Sequence, residues 1–383
     1  MRRVQEVVAG EARTRAFRLG DGPRLVVQAW LGSRLLLALV FVWTVWTTGT
    51  RWQDAAGNWD VAHFLRIARE GYAAENEAAF FPGLPLLLRA AGALGLDMTG
   101  AGILISVVGS AFAAWALWRL GGPRTGVVAA ALWLFAPTAV FTVVPYTESL
   151  FAAFAFWAWL RARQGRWAWA AVLAAGACSV RVSGVFLLVA LGVLALTGSY
   201  EGDRGWWGRL RALAWLLVPA AVPAAYATYL RVTKGSWLAW YTAQADGWGR
   251  RLTWPWDAFA HTLRAVVPGA YADHPGWAWV FRGEVVSVAV GIAVTVACLV
   301  LRRWAEATWV GVQVVAFATS YWYMSVNRAV LLWFPLWLLL GSLATRPGRT
   351  RRARVVVIGV WGVVSTLLLV WWGARFFSGQ WAS

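Results

Sequence analysis

The segment Asn58-Trp59-Asp60-Val61-Ala62-His63-Phe64-Leu65-Arg66-Ile67-Ala68 sets a carboxylate three residues ahead of an imidazole. On a helix Asp60, His63 and Ile67 share one face, because residues three and four apart lie one above the other. A carboxylate with an imidazole beside it can act as a general base that takes a proton from a hydroxyl. It can equally do no more than favour the positive end of a helix, with His63 resting at an interface. Asn58 is the expected cap of that helix. Three further ionisable groups stand at turns beside apolar runs. They are Glu148 in Pro145-Tyr146-Thr147-Glu148-Ser149, Arg181 in Arg181-Val182-Ser183-Gly184, and Arg328 in Ser325-Val326-Asn327-Arg328. Charges near hydrocarbon are costly, so they pair, line a wet cavity or act. Asp60 and these three predict one polar pocket. A guanidinium can hold two oxygens of a phosphate at once, although a lipid headgroup or a loop carbonyl would also satisfy it.

The elements that must position these groups are membrane helices. Of 383 residues, 60% are hydrophobic and 14% charged. A water-soluble globular chain has nearer half and a quarter. That excludes a disordered chain, a disulfide-stapled secreted module and an ordinary soluble enzyme. Apolar runs lie near 26–48, 99–118, 126–143, 149–160, 167–180, 184–198, 213–230, 285–301, 305–322, 329–344 and 355–373. They predict an all-α, polytopic protein of about eleven spans. The 49–98 stretch is expected as a first outer loop with interfacial helices, its apolar part being interrupted by Pro82 and Pro85. Residues 231–283 form a second long polar loop, rich in Trp and Pro. No repeat or soluble domain stands apart, so 1–383 reads as one integral-membrane domain. The 31 tryptophans suit two membrane–water interfaces. Cys178 and Cys298 sit inside apolar runs without zinc spacing and read as core. No cleavable leader is evident.

Net charge is +18. It reflects topology rather than nucleic-acid binding, because the arginines punctuate apolar runs. With the N-terminus in the cytoplasm, inner segments carry 22 basic and 6 acidic residues, counting Arg34 as snorkelling inward, and outer segments 13 and 11. Asp60, Glu148, Arg181 and Arg328 then all fall on the extracytoplasmic face.

Several of these residues also form a pattern. Trp59-Asp60, Ile67-Ala68, Gly71-Tyr72 and Phe80-Phe81-Pro82 with Pro85 resemble the first-loop signature of the PIG-V family. Pro145-Tyr146-Thr147-Glu148-Ser149-Leu150-Phe151 resembles its tyrosine-(serine/threonine)-glutamate-serine turn. Arg181-Val182-Ser183-Gly184 is similar to an arginine-serine-asparagine-glycine turn in shuffled form. Gln244 with Gly247-Trp248-Gly249-Arg250 resembles a loop of bacterial members. Arg328 ahead of Phe334-Pro335 resembles an arginine-tyrosine motif in which Ala329 replaces the tyrosine.

The resemblance implies a GT-C type membrane mannosyltransferase. Such an enzyme moves a mannosyl residue, with inversion, from a polyprenyl-phosphate donor to a lipid, glycan or protein acceptor at the outer face of the cell membrane. The residues agree in one respect: there is no GxGxxG or P-loop for a nucleotide. A sugar phosphate carries its own leaving group, so the chemistry needs one base and positive donors for the phosphate. Asp60 is assigned as that base. His63, Tyr72, Glu148, Arg181, Gln244, Trp248, Arg250 and Arg328 are the expected substrate-binding set. Trp237, Trp240 and Tyr241 are further candidates for stacking on sugar. No metal, cofactor or nucleic acid is expected. The rival is a transporter or flippase of lipid-linked sugars, which would place charge near mid-membrane. A scaffold subunit without activity is a third reading.

Overall fold

The computed structural model describes residues 21–203 and 205–382. These residues build α-helices, with no strand among them beyond an isolated bridge between Leu252 and Ser320. The first long helix, α1 (Asp21–Thr48), leads into short ones: α2 (Trp52–Ala56), α3 (Asp60–Glu70), a 3₁₀ turn at Glu75–Ala79, and α4 (Gly83–Ala93). Next come α5 (Met98–Leu134), a 3₁₀ turn at Ala139–Thr142, α6 (Glu148–Arg163), α7 (Trp167–Val180) and α8 (Ser183–Thr197). The chain continues through α9 (Gly205–Trp215), α10 (Leu217–Lys234), α11 (Ala239–Trp248) and α12 (Pro255–Ala265). The last elements are α13 (Gly276–Val300), α14 (Trp304–Ala318), α15 (Val326–Ala329), α16 (Phe334–Thr345) and α17 (Arg351–Phe377).

Five helical segments are long and apolar enough to cross a membrane: α1, α5, α9 with α10, α13 and α17. A sixth is the pair Val326–Leu332 and Phe334–Thr345, bent by 67° at its break. The expected eleven spans are therefore not confirmed, although helix occupies every expected run. Length is the reason. α7 and α8 have 14 and 15 residues, which at 1.5 Å per residue gives about 21–23 Å against a hydrocarbon core of ~30 Å. α5 (Met98–Leu134), in turn, takes in the expected 99–118 run and the first half of the 126–143 run. At Gly122 φ is +74°, a conformation open to glycine, and Pro123 follows. A Cβ on Gly126 would run into the Trp118 carbonyl. Residues eight apart on a straight helix are separated by ~12 Å, so the chain folds back on itself here.

The apolar surface fits lipid. α1 exposes Leu31, Leu35, Leu39, Val42 and Trp46, and α17 exposes Val356, Val360, Val363 and Leu367. Stripes of this size are rare on water-soluble monomers. The tryptophans are not confined to interfaces. Trp133, Trp159, Trp309, Trp333 and Trp337 are fully buried. Trp133 Nε1 donates to the Leu331 carbonyl at 2.8 Å, and Trp309 Nε1 to the Leu332 carbonyl at 3.0 Å. Both carbonyls lie at the break before α16, where helix hydrogen bonds are lost. Neighbouring side chains must make up such losses away from water.

Arg34 departs from expectation as well. Rather than snorkelling, its Nη1 donates to Ser110 Oγ at 3.0 Å and to the Thr142 carbonyl and Oγ1 at 3.1 and 2.9 Å. It therefore grips the turn between α5 and α6 from inside the bundle. That turn carries Phe141 and Tyr146 to the site.

Candidate active site

Asp60 stands at the first position of α3, after Trp59, whose φ is +60°. Asn58 does not cap this helix. Its Nδ2 donates to the carbonyls of Ala55 at 3.1 Å and Phe376 at 2.8 Å, tying the loop to the end of α17. The Asp60 backbone N–H instead donates to Tyr146 Oη at 3.1 Å. Tyr146 is completely buried among Phe64, Phe141 and Phe376. Burial first, and then the Asp60 charge, push its phenol well above the usual tyrosine range, so it stays neutral.

Asp60, Glu148, Arg181 and Arg328, chosen from four separate turns, form one chain of contacts. Arg328 Nη1 lies 2.9 Å from Asp60 Oδ2 and 3.5 Å from Glu148 Oε1. Arg181 Nη1 lies 2.5 Å from that same Glu148 oxygen and 2.6 Å from Thr147 Oγ1. The Arg328 guanidinium sits over the rings of Phe141 and Tyr146, 5.3 and 5.1 Å from their centres, and donates to Ser325 Oγ at 2.9 Å. Such contacts strengthen as water is excluded. Glu148 is fully buried, which only a paired carboxylate tolerates.

Two cavities meet at this chain. The smaller, about 100 Å³, is lined by Arg181, Arg250, Arg328, Gln244 and Thr147, with Phe80, Phe81 and Trp248. The larger, about 410 Å³, is walled by aromatic rings, among them Trp59, Trp248, Trp277, Phe281, Trp322 and Trp381. Asp60, Trp248, Ser325 and Arg328 line both. One chamber is thus basic, the other aromatic, and the Asp60–Arg328 pair forms their junction.

Arg250 reaches the basic chamber from the loop after α11. Its Nη2 donates to the Met324 carbonyl at 3.0 Å and its Nη1 to Gln244 Oε1 at 3.4 Å. Burial, with repulsion from Arg328, pulls its pKa down to about 10, so it remains charged at neutral pH. Gln244 Nε2 in turn donates to the Ala79 carbonyl at 3.3 Å.

Two expected members stand apart. His63 lines neither chamber. It stacks on Phe80 at 5.0 Å and lies 5.8 Å from Trp248, behind the chamber wall. Burial pulls its pKa down, outweighing the opposing pull of Asp60. Tyr72 donates to the Phe80 carbonyl at 2.9 Å and packs on Tyr226 and Tyr229. Both residues therefore support Phe80. Of the candidate stacking aromatics Trp237, Trp240, Tyr241 and Trp248, only Trp248 lines the chambers.

Sequence reasoning missed Glu284. This buried carboxylate on α13 accepts the backbone N–H groups of Ser325 and Asn327, each at 2.9 Å. Ser325 has φ of +66°. The Asn327 carbonyl accepts from Thr138 Oγ1 at 2.9 Å, and its Oδ1 from Ser287 Oγ at 2.9 Å. The strained turn that presents Arg328 is thus locked by buried polar groups. A lone acid at the edge of the 285–301 run was the available signal. The aromatic chamber left no such trace, because its walls come from six places in the chain. Among the described residues, no group of three or more His, Cys, Asp or Glu side chains is placed to hold a metal.

The fold and site therefore define a helical membrane protein with an acid–arginine centre at one end of its bundle. Residues 41–204 match the model of the mannosyltransferase (PIG-V) family, which bears out over that segment the likeness read from the sequence. GPI alpha-1,6-mannosyltransferase 2 of Mus musculus is 40% identical over 152 residues, which cover 36% of this chain and 30% of that protein. The Homo sapiens protein of the same name is 39% identical over 153 residues, with the same coverage. GPI mannosyltransferase 2 of Chaetomium globosum is 31% identical over 122 residues, 26% of each chain. The chain spans about 30% of the length of the mammalian relatives it matches. The family match contains Asp60, Glu148 and Arg181. Gln244, Arg250 and Arg328 lie beyond it and are joined to it by the contacts above.

Proposed function

We propose that this protein is an inverting mannosyltransferase that uses a polyprenyl-phosphate donor at the extracytoplasmic face of the membrane. The observation that carries this reading is the Asp60–Arg328 pair at the meeting of a basic and an aromatic chamber. The family match and the mannosyltransferase relatives support the sugar. In this reading the donor phosphate enters the basic chamber, where Arg181, Arg250 and Arg328 offer charged N–H donors. The mannosyl ring lies against the aromatic wall at Trp248 and Trp322. Arg328 holds Asp60 Oδ2, and Oδ1 faces the acceptor. Asp60 takes the proton as the acceptor hydroxyl attacks the anomeric carbon. The bond from that carbon to phosphate oxygen breaks, its electron pair stays on the phosphate, and Arg328 shifts toward the new charge. One displacement inverts the centre.

The acceptor reading is a lipid or glycan hydroxyl. A cavity of about 410 Å³ lies within the ~300–1,000 Å³ typical of small-ligand sites. The polar groups gather at one end of α6 rather than midway along it, which favours an enzyme over a transporter. Purified protein should transfer mannose from polyprenyl phosphomannose in the presence of a chelator and fail with GDP-mannose. Transfer only from GDP-mannose would overturn the donor assignment, and activity restored only by added metal would reject the metal-free half of the reading.

A further inference from the structure

A groove of about 800 Å³ runs along the outward-facing side of α6, between α5 and α7. Its floor is a single stripe of α6: Leu150, Ala153, Phe154, Trp157 and Arg161. These positions follow the three-and-four spacing of one helix face. Gly109 lets α5 pack against the α6 backbone at Ser149 and Leu150, the small Ala153 leaves room at the floor, and Phe112 and Trp169 are exposed on the rims. The groove is apolar except at one end, where Arg161 and Arg166 line it.

We propose that this groove holds one anionic glycerophospholipid, with its phosphate on Arg161 and Arg166 and an acyl chain along the α6 stripe. Two observations commit the site to this occupant. The first is length. Leu150 to Arg161 is eleven residues, about 16 Å of helix, close to one leaflet of a ~30 Å hydrocarbon core. The second is charge. No carboxylate pairs with Arg161 or Arg166 among the described residues. Among the described residues the Arg161 guanidinium donates to Gln164 Oε1 at 3.0 Å and lies 5.2 Å from the centre of the Trp157 ring. Arg161 stands ~20 Å along α6 from Glu148, and Arg166 follows in the turn that leads into α7, so the lipid belongs to the leaflet remote from Asp60. Basic side chains at a helix end hold anionic headgroups in this way.

Native mass spectrometry of the full-length protein tests this, using added phosphatidylglycerol and phosphatidylcholine with identical acyl chains. One tightly held phosphatidylglycerol is expected, preferred about tenfold over phosphatidylcholine. The double variant Arg161→Gln with Arg166→Gln should lose the preference while keeping its fold, and Arg161→Lys with Arg166→Lys should recover it. Ala153→Trp, which fills the groove floor, should retain neither lipid. Equal retention of both lipids by the native chain would overturn the proposal. So would a preference that survives the double Gln variant, or a groove covered by a second copy, seen as a dimer whose abundance ignores phosphatidylglycerol.

Discussion

Glu148 and Arg181 offer a quantitative test of whether the charged chain is one unit. The perturbation is a cycle of Glu148→Gln, Arg181→Met and the double variant. Glu148 is fully buried and its oxygen lies 2.5 Å from Arg181 and 3.5 Å from Arg328. Glu148→Gln leaves Arg181 without its carboxylate, whereas Arg328 keeps Asp60. Stranding one member of a buried pair costs about 3 kcal/mol or more. Arg181→Met should cost somewhat less, about 2 kcal/mol, because Glu148 retains Arg328. The double variant removes both charges together, so its loss should fall short of the sum by about 2 kcal/mol. Equilibrium unfolding of the four proteins in one detergent gives the three differences. Additivity within about 0.5 kcal/mol would refute the reasoning, because independent sites behave that way. Turnover measured in parallel should fall in both single variants.

Three further outcomes are expected. Glu284→Gln should weaken donor affinity and turnover together by about tenfold, since one bond to the Arg328 turn is lost and the other loses its charge; unchanged donor affinity would speak against the clamp. His63 has a folded pKa below its ordinary 6.5, so the unfolded chain binds the proton first and stability should decline as pH falls below about 6.5. His63→Gln should flatten the melting temperature between pH 7 and 5, and an unaltered slope would assign the loss to other groups. For sidedness, cysteines at Gly247 and Arg349 should label oppositely with an impermeant reagent in intact cells. Cys178 and Cys298 are buried and will not interfere, and labelling of both introduced sites from outside would reject the proposed orientation.

The clustering of the four charged turns was more legible in the sequence than the span count. Asp60, Glu148, Arg181 and Arg328 declared themselves because an ionisable group beside an apolar run has few tolerable fates. Their pairing into one chain could not be read, because it depends on how four distant turns meet. His63 looked like a partner of Asp60 on spacing alone. A shared face brings residues to the same side of a helix, but Phe80 and Trp248 then closed over the imidazole. Asn58 carried the right side chain for a cap, yet the Ala55 and Phe376 carbonyls claimed it. Composition located the apolar runs but could not say which helices are long enough to cross a membrane. The reversal at Gly122 and the break before α16 depend on backbone angles and on buried tryptophans that no hydropathy pattern encodes.

The central claim is that Asp60 is the base, and turnover of Asp60→Asn with polyprenyl phosphomannose tests it most directly. Asparagine keeps the shape and can still accept a bond from Arg328, but it cannot take a proton. Turnover should fall by about 10²–10⁴-fold. Donor affinity should hold or rise slightly, because Arg328 is released toward the phosphate. A variant that folds, binds donor and retains more than roughly a tenth of native turnover would contradict the account.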